Sequence, residues 1–302
     1  MSAGDLLDID TVEILRGPQG TLYGKNTAAG AITIKTKKPN FEPTAQAEIQ
    51  TGDYDLFEMR FSGNLPIVDD KIATRVTGYR VTRDGYDTND SPNREDENIN
   101  DTTRWGIRTS TLFAVDDGLE FIIRGDYAET EENCCIPDVW RYGDTPTAGL
   151  APLTSLAATA GVTLVPARSG DRNVTADLLP RNQLEVGGVS AEMNLDVGEH
   201  TITWLTAYRS YRSDSLLDAD FSQLDVLSLD TDVEFDQGSM ELRLASPEYD
   251  LIDYVAGLYF FYSDLDTLDV LQFRTQATFP GQMNTGTNQH RTTSVAGFAD
   301  AN

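Results

Sequence analysis

Basic residues are scarce in this chain: 23 Lys and Arg stand against 49 Asp and Glu, a net charge of −26, and all five lysines lie at or before Lys71. A chain this acidic offers phosphate backbones no positive field, so nucleic acid is not an expected partner. No run approaches the ~18 apolar residues of a transmembrane helix. Residues 1–10 lack the basic start and apolar core of a secretory signal. The only cysteines, Cys134 and Cys135, are adjacent, which excludes spaced zinc ligands. The only histidines, His200 and His290, are far apart, and neither sits beside a cysteine or a paired Ser and Asp, so nothing points to a nucleophile and its base. No catalytic residue, metal or cofactor is expected.

What is present is concentrated first in residues 12–39, VEILRGPQGTLYGKNTAAGAITIKTKKP. Val12 and Ile14 on one side and Ala31, Ile32 and Ile34 on the other flank a run with four glycines and a proline, which reads as strand, tight turns, strand. Two nucleotide-binding readings fail on spacing. Gly20, Gly24, Lys25 and Asn26 leave too short a loop and put an amide where a phosphate-binding loop has its hydroxyl. Gly17, Gly20 and Gly24 do not give the dinucleotide spacing, and no amphipathic helix follows.

Val12, Glu13, Ile14, Leu15, Arg16, Gly17, Pro18, Gln19, Gly20, Thr21, Leu22, Tyr23, Gly24, followed by Ala29, Gly30, Ala31, Ile32, Thr33 and Ile34, resembles the last segment of the plug domain of TonB-dependent outer-membrane receptors. Ala29 replaces the glycine common there, a small change. The motif residues carried by the resemblance are Glu13, Arg16, Gly17, Pro18, Gly20, Leu22, Tyr23, Gly24 and Gly30. The runs 202–211, 237–248 and 253–262 resemble barrel strands of the iron-complex receptors in the same family. The resemblance implies a plug end over 1–39 and the first part of an outer-membrane barrel over 40–302.

From Phe41 onward apolar and polar residues alternate in segments of about ten, the signature of a membrane barrel. In 104–115, Trp105, Ile107, Thr109, Thr111, Phe113 and Val115 share one face and Arg104, Gly106, Arg108 and Ser110 the other. In 119–128, Leu119, Phe121, Ile123, Gly125 and Tyr127 oppose Glu120, Arg124 and Asp126. The pattern predicts ten strands, at about 44–51, 56–66, 71–84, 102–115, 118–131, 184–197, 200–213, 232–246, 253–265 and 290–301. Tight turns alternate with long connections at 85–101, 132–183, 214–231 and 266–289, as periplasmic turns and extracellular loops do. The expected fold is therefore all-β: a partial antiparallel transmembrane β-barrel, about ten of the ~22 strands of plugged transporters, with the C-terminal part of a plug. A soluble β-sandwich is the rival architecture, with strands nearer ~5 to 6 residues.

Within this reading Arg16 is expected to be enclosed by the barrel and to face Glu192 or Glu241, which lie on the polar phase of their strands. Cys134 and Cys135 are expected in an extracellular loop as a vicinal disulfide, with two free thiols the alternative. The nine acidic residues from Asp214 to Glu241 are read as a solvated loop, because their spacing does not match a calcium loop. Trp140, Tyr142, Phe221 and Tyr249 fall in loops and are assigned to no ligand. Residues 147–165 are Ala- and Leu-rich, the composition of a short helix.

The resemblance implies energised uptake of a scarce large solute, a ferric siderophore before cobalamin or saccharides, across the outer membrane of a Gram-negative bacterium. The implied partners are TonB, its contact segment upstream of Met1, and outer-membrane lipid. A passive porin or adhesin barrel is the alternative, and a secreted β-rich hydrolase, needing converging carboxylates, is a further one. Ten strands would be a fragment unable to close its own barrel.

Overall fold

A computed structural model describes residues 7–18, 27–91, 98–137, 139, 141–142, 151–164, 172–247 and 252–301. Strands β1 (Ile9–Arg16) and β2 (Gly30–Thr36) pair as an antiparallel hairpin separate from the rest. Ten strands form one antiparallel sheet: β3 (Thr44–Gly52), β4 (Leu56–Val68), β5 (Ile72–Arg83), β8 (Thr102–Asp116), β9 (Leu119–Glu132), β11 (Arg181–Val197), β12 (His200–Asp218), β13 (Leu227–Ala245), β14 (Tyr254–Phe273) and β15 (Met283–Ala301). Every strand pairs with its neighbours in chain order, so the sheet is an up-and-down meander. It is open, with β3 and β15 as its edges.

The alternation read from the sequence becomes two chemically distinct faces. One ladder row carries Leu195, Ile202, Leu244, Ala256 and Ala299, and the next row of the same face carries Met193, Trp204, Leu242, Leu258 and Gly297. Leu258, Val295 and Ile123 on this face are 63%, 76% and 51% exposed, as side chains meant for hydrocarbon must be in the absence of lipid. Tyr254, bonded to His200 at 2.8 Å, ends the apolar band on one side, and Tyr208 and Tyr262 end it on the other. From Tyr254 to Tyr262 the strand climbs about 26 Å at ~3.3 Å per residue. That is the height of a hydrocarbon band once tilt is allowed for.

The opposite face is polar: Arg75, Arg108, Arg124, Asp126, Glu192, Asn194, Arg209 and Glu241 project from it. Arg209 on β12 crosses β11 to reach Asp126 on β9 at 2.7 Å, and Gly188 is the residue it crosses. A Cβ at Gly188 would meet the Tyr208 carbonyl at 2.9 Å and the Arg209 guanidinium at 3.3 Å, so only glycine leaves that path open.

Strands β12 to β15 are longer than the sequence predicts. The connections expected at 214–231 and 266–289 shrink to the stretches between β12 and β13 and between β14 and β15. Asp230 falls in the connection expected at 214–231, yet with Asp232, Glu234 and Asp236 it alternates with Thr231, Val233 and Phe235 on one continuing ladder. Beyond the lipid band the outer face no longer has to be apolar, so a strand can carry carboxylates there. The reading of 214–241 as a solvated loop is corrected accordingly: most of it is strand, and Asp218 and Asp220 are buried.

The tight turns fall at one end of the sheet. At the other, β6 (Asp87–Asn89), β7 (Asn98–Ile99) and β10 (Asn173–Val174) make a small sheet over a core of Ile99, Ile136, Val174 and Ala176. Helix α1 (Leu153–Ala160), inside the expected 147–165, packs its Ala157 against Leu224, Val226 and Phe273 and ends on Gly161 in the left-handed conformation. The connections at this end thus build a cap with its own hydrophobic core.

Candidate functional site

Among the described residues, charged contacts from the ends of the hairpin tie it to the polar face. Within it, Glu13 meets Lys35 at 2.9 Å, and Gly17 donates to the Ala29 carbonyl at 3.2 Å with φ +83°, a conformation open to glycine. Gly30, directly opposite Arg16, has φ +147°, and a Cβ there would collide with the Leu15 carbonyl. Those two motif glycines are fixed by backbone geometry. Pro18 follows Gly17 at the end of the described segment, and Gly20, Leu22, Tyr23 and Gly24 lie outside the described residues.

Toward the wall, Asp8 forms a bidentate ion pair with Arg75 of β5, the two side chains 4% and 10% exposed. Arg108 of β8 donates to the Leu7 carbonyl at 3.4 Å. On the far side of the hairpin Lys38 approaches Glu120 of β9 at 3.5 Å. Asn64, buried on β4, donates to the Asn40 carbonyl at 2.8 Å and the Glu42 carbonyl at 2.6 Å, fixing where the chain enters the sheet.

Arg16 lies at the exposed end of β1. Glu192 accepts from Arg124 at 2.8 Å and from Asn194 at 3.1 Å, and Glu241 accepts from Arg243. Asn194 also bonds Glu120 at 3.0 Å, and Lys38 approaches that same carboxylate at 3.5 Å. Asp8 and Arg75 form a tie with both partners buried, from hairpin acid to wall base. Sequence reasoning missed Asp8 because it precedes the recognisable motif. Arg75 was visible only as one more polar-phase residue.

In the cap, Cys134 and Cys135 are joined to each other just after β9. Tyr142 is half-buried and donates to the Phe221 carbonyl at 3.1 Å, so both residues are engaged in loop packing. Trp140 and Tyr249 lie outside the described residues. Asp225 binds Arg274 and accepts from the Thr275 hydroxyl, contacts that outweigh its burial and hold its carboxyl below the usual range. Asp177, Asp218 and Asp220 converge nearby. Burial, then the neighbouring carboxylates, push Asp177 up to about 7 and Asp218, beyond the lipid band, up to about 9. Burial likewise lifts Asp220 to about 6, against hydrogen bonds from Ser222 and Leu227. His200 bonds the Tyr254 hydroxyl at 2.8 Å and His290 lies 3.4 Å from the Thr292 hydroxyl.

No protein-family model matches the chain. The pesticin receptor of Yersinia enterocolitica is 37% identical over 91 residues, 30% of this chain and 14% of that protein. The ferrichrome outer membrane transporter/phage receptor of Escherichia coli K12 is 26% identical over 141 residues, 47% of this chain and 17% of that protein. Among solved structures, the ferric yersiniabactin uptake receptor FyuA of Yersinia pestis superposes with TM-score 0.70 at 17% identity, over 97% of this chain and 49% of that one. FpvA of Pseudomonas aeruginosa, bound to a pyoverdine–iron complex, gives TM-score 0.73 at 13% identity over 97% and 39%. The chain therefore spans half or less of the relatives it matches. Its all-β architecture, an open antiparallel sheet with a separate hairpin, is that of part of their barrels.

Proposed function

We propose that this chain, similar in sequence and fold to TonB-dependent siderophore receptors, carries the end of the plug over residues 1–39 and the first strands of the barrel wall over 40–302. It works in the outer membrane of a Gram-negative bacterium as part of a receptor for energised uptake of a scarce large solute, a ferric siderophore. It is a transporter and not an enzyme. The observation that carries the reading is the motif hairpin docked on the polar face of a sheet whose other face is made for lipid, tied by Asp8 to Arg75 and by Lys38 to Glu120.

Polar ties of this kind suit a plug that must move. The apolar band and its tyrosine borders fix the wall in the bilayer, whereas the hairpin is held by ion pairs that an applied force can exchange for water. TonB supplies that force, and the cap with the plug apex receives the solute. The test is uptake of iron-55 presented as a panel of ferric siderophores, by cells with and without the gene, with and without TonB. Uptake of at least one complex that needs both gene and TonB supports the reading. Uptake unaffected by loss of TonB would leave a passive barrel instead.

A further inference from the structure

One rung of the wall holds both ends of the hairpin. Asn64 of β4 and Arg75 of β5 are direct partners on the ladder. Arg75 takes the entering end through Asp8, while Asn64 takes the leaving end at residues 40–42. The two ends are themselves closed together by the Lys37 amide, which donates to the Asp8 carbonyl at 3.1 Å. Both fastenings therefore meet next to the point where the chain joins the sheet.

The fastenings differ in chemistry. Asn64, 2% exposed, accepts from the Asn40 amide at 3.1 Å and donates to the Asn40 and Glu42 carbonyls at 2.8 and 2.6 Å. A carboxamide supplies both functions, whereas a carboxylate of the same shape would lose both donors. The clamped backbone runs directly into β3, whose residues are laddered to β4 from Thr44 onward, so this end has little freedom to leave. The ion pair is nearer to break-even, because charges separated into a wet lumen regain the hydration that burial removed.

The clamp also sets a length. From the end of β2 at Thr36 to the clamped Asn40 the chain reaches about 14 Å when fully extended; from Thr36 to Thr44, without the clamp, it reaches about 29 Å. Lys38 with Glu120 lies on the same connector, but as a solvent-exposed pair it restrains little.

We infer that the Asn64–Arg75 rung is a two-part pivot for the plug end. The Asp8–Arg75 ion pair opens in each transport cycle, while Asn64 keeps residues 40–42 on the wall and limits the swing of the hairpin. Asn64 is thus a positioning residue for uptake: its short tether holds Asp8 near Arg75 and returns it to its seat.

The test rests on the uptake reading above and uses the ferric siderophore taken up from the panel. Cysteine pairs in the receptor on whole cells are joined with a reducible bis-thiosulfonate, and binding and iron-55 import are measured. Asn40→Cys with Asn64→Cys, once joined, should import as the wild type does. Asp8→Cys with Arg75→Cys, once joined, should bind the siderophore but import no more than cells lacking TonB, and reductant should return import to the level of the unjoined pair. Leu7→Cys with Arg108→Cys serves if that pair does not import unjoined. Asn64→Leu, similar in size but without donor or acceptor, should bind normally and import about threefold more slowly, since doubling a tether dilutes the hairpin around its seat. Import stopped by joining the Asn40 and Asn64 positions would mean that the clamp must open, and overturns the proposal. So does import that survives joining the Asp8 and Arg75 positions, or a wild-type rate in Asn64→Leu. No import by the unaltered receptor would remove the uptake reading itself, and the pivot with it.

Discussion

Asp8, one residue before the hairpin, and Arg75, in the middle of β5, face each other across the gap between hairpin and sheet in a bidentate ion pair. With both side chains almost out of water, the pair is worth little as a net stabiliser but much as a position marker: removing one partner strands the other charge. It determines where on the polar face the hairpin sits.

Arg75→Ala should therefore cost roughly 3 to 5 kcal/mol of hairpin docking, without disturbing the barrel's assembly. Faster hydrogen exchange across β1 and β2, with β11 to β14 unchanged, is the expected readout. The charge-swapped pair Asp8→Arg with Arg75→Asp should recover part of the loss. Equal exchange in wild type and Arg75→Ala would show that the hairpin is held by something else.

At Gly188 the expected outcome separates two effects. Gly188→Val should destabilise the wall by about 1 to 3 kcal/mol through collision with the Tyr208 carbonyl. Arg209→Met, which removes only a half-exposed ion pair, should cost under about 1 kcal/mol. Denaturant midpoints in lipid vesicles measure both, and a reversed ranking would mean the ion pair outweighs the backbone approach.

The lipid face should show a depth dependence along a single strand. Leu258→Arg sits within the apolar band and should cost roughly 2 to 4 kcal/mol. Leu268→Arg, on the same face but above Tyr262 and opposite Asp232, should be nearly neutral. Heat-modified mobility on gels and urea unfolding in bilayers would check this; equal penalties would move the membrane boundary above Tyr262.

Cys134 and Cys135 should take up no alkylating reagent when the protein is denatured without reductant, and two equivalents per chain after reduction. Mass spectrometry of the peptide holding both residues reads this directly. Two labelled thiols before reduction would remove the disulfide.

Most of the wall was legible in the sequence, because a strand with lipid on one side and a polar interior on the other must alternate with period two. Trp105 to Val115 announces this without any partner. The motif residues Gly17 and Gly30 were legible for a related reason: their backbone conformations admit little else. Beyond the bilayer that constraint lapses. Asp230 continues the alternation of Asp232 to Asp236, but the expected strand began only at 232, and only the ladder to β12 and β14 carries it back to Leu227.

The sequence by itself thus determined the all-β class, the order of the strands and the side of each that meets lipid, since solvent imposes those locally. It could not decide pairings between distant side chains. That Asp8 makes a buried tie to Arg75 of the wall, that Lys38 approaches Glu120, and that Asp177 joins Asp218 and Asp220, are consequences of register and curvature over the whole sheet. Only the tertiary structure brings these charges within reach, and only burial turns their proximity into an energetic constraint.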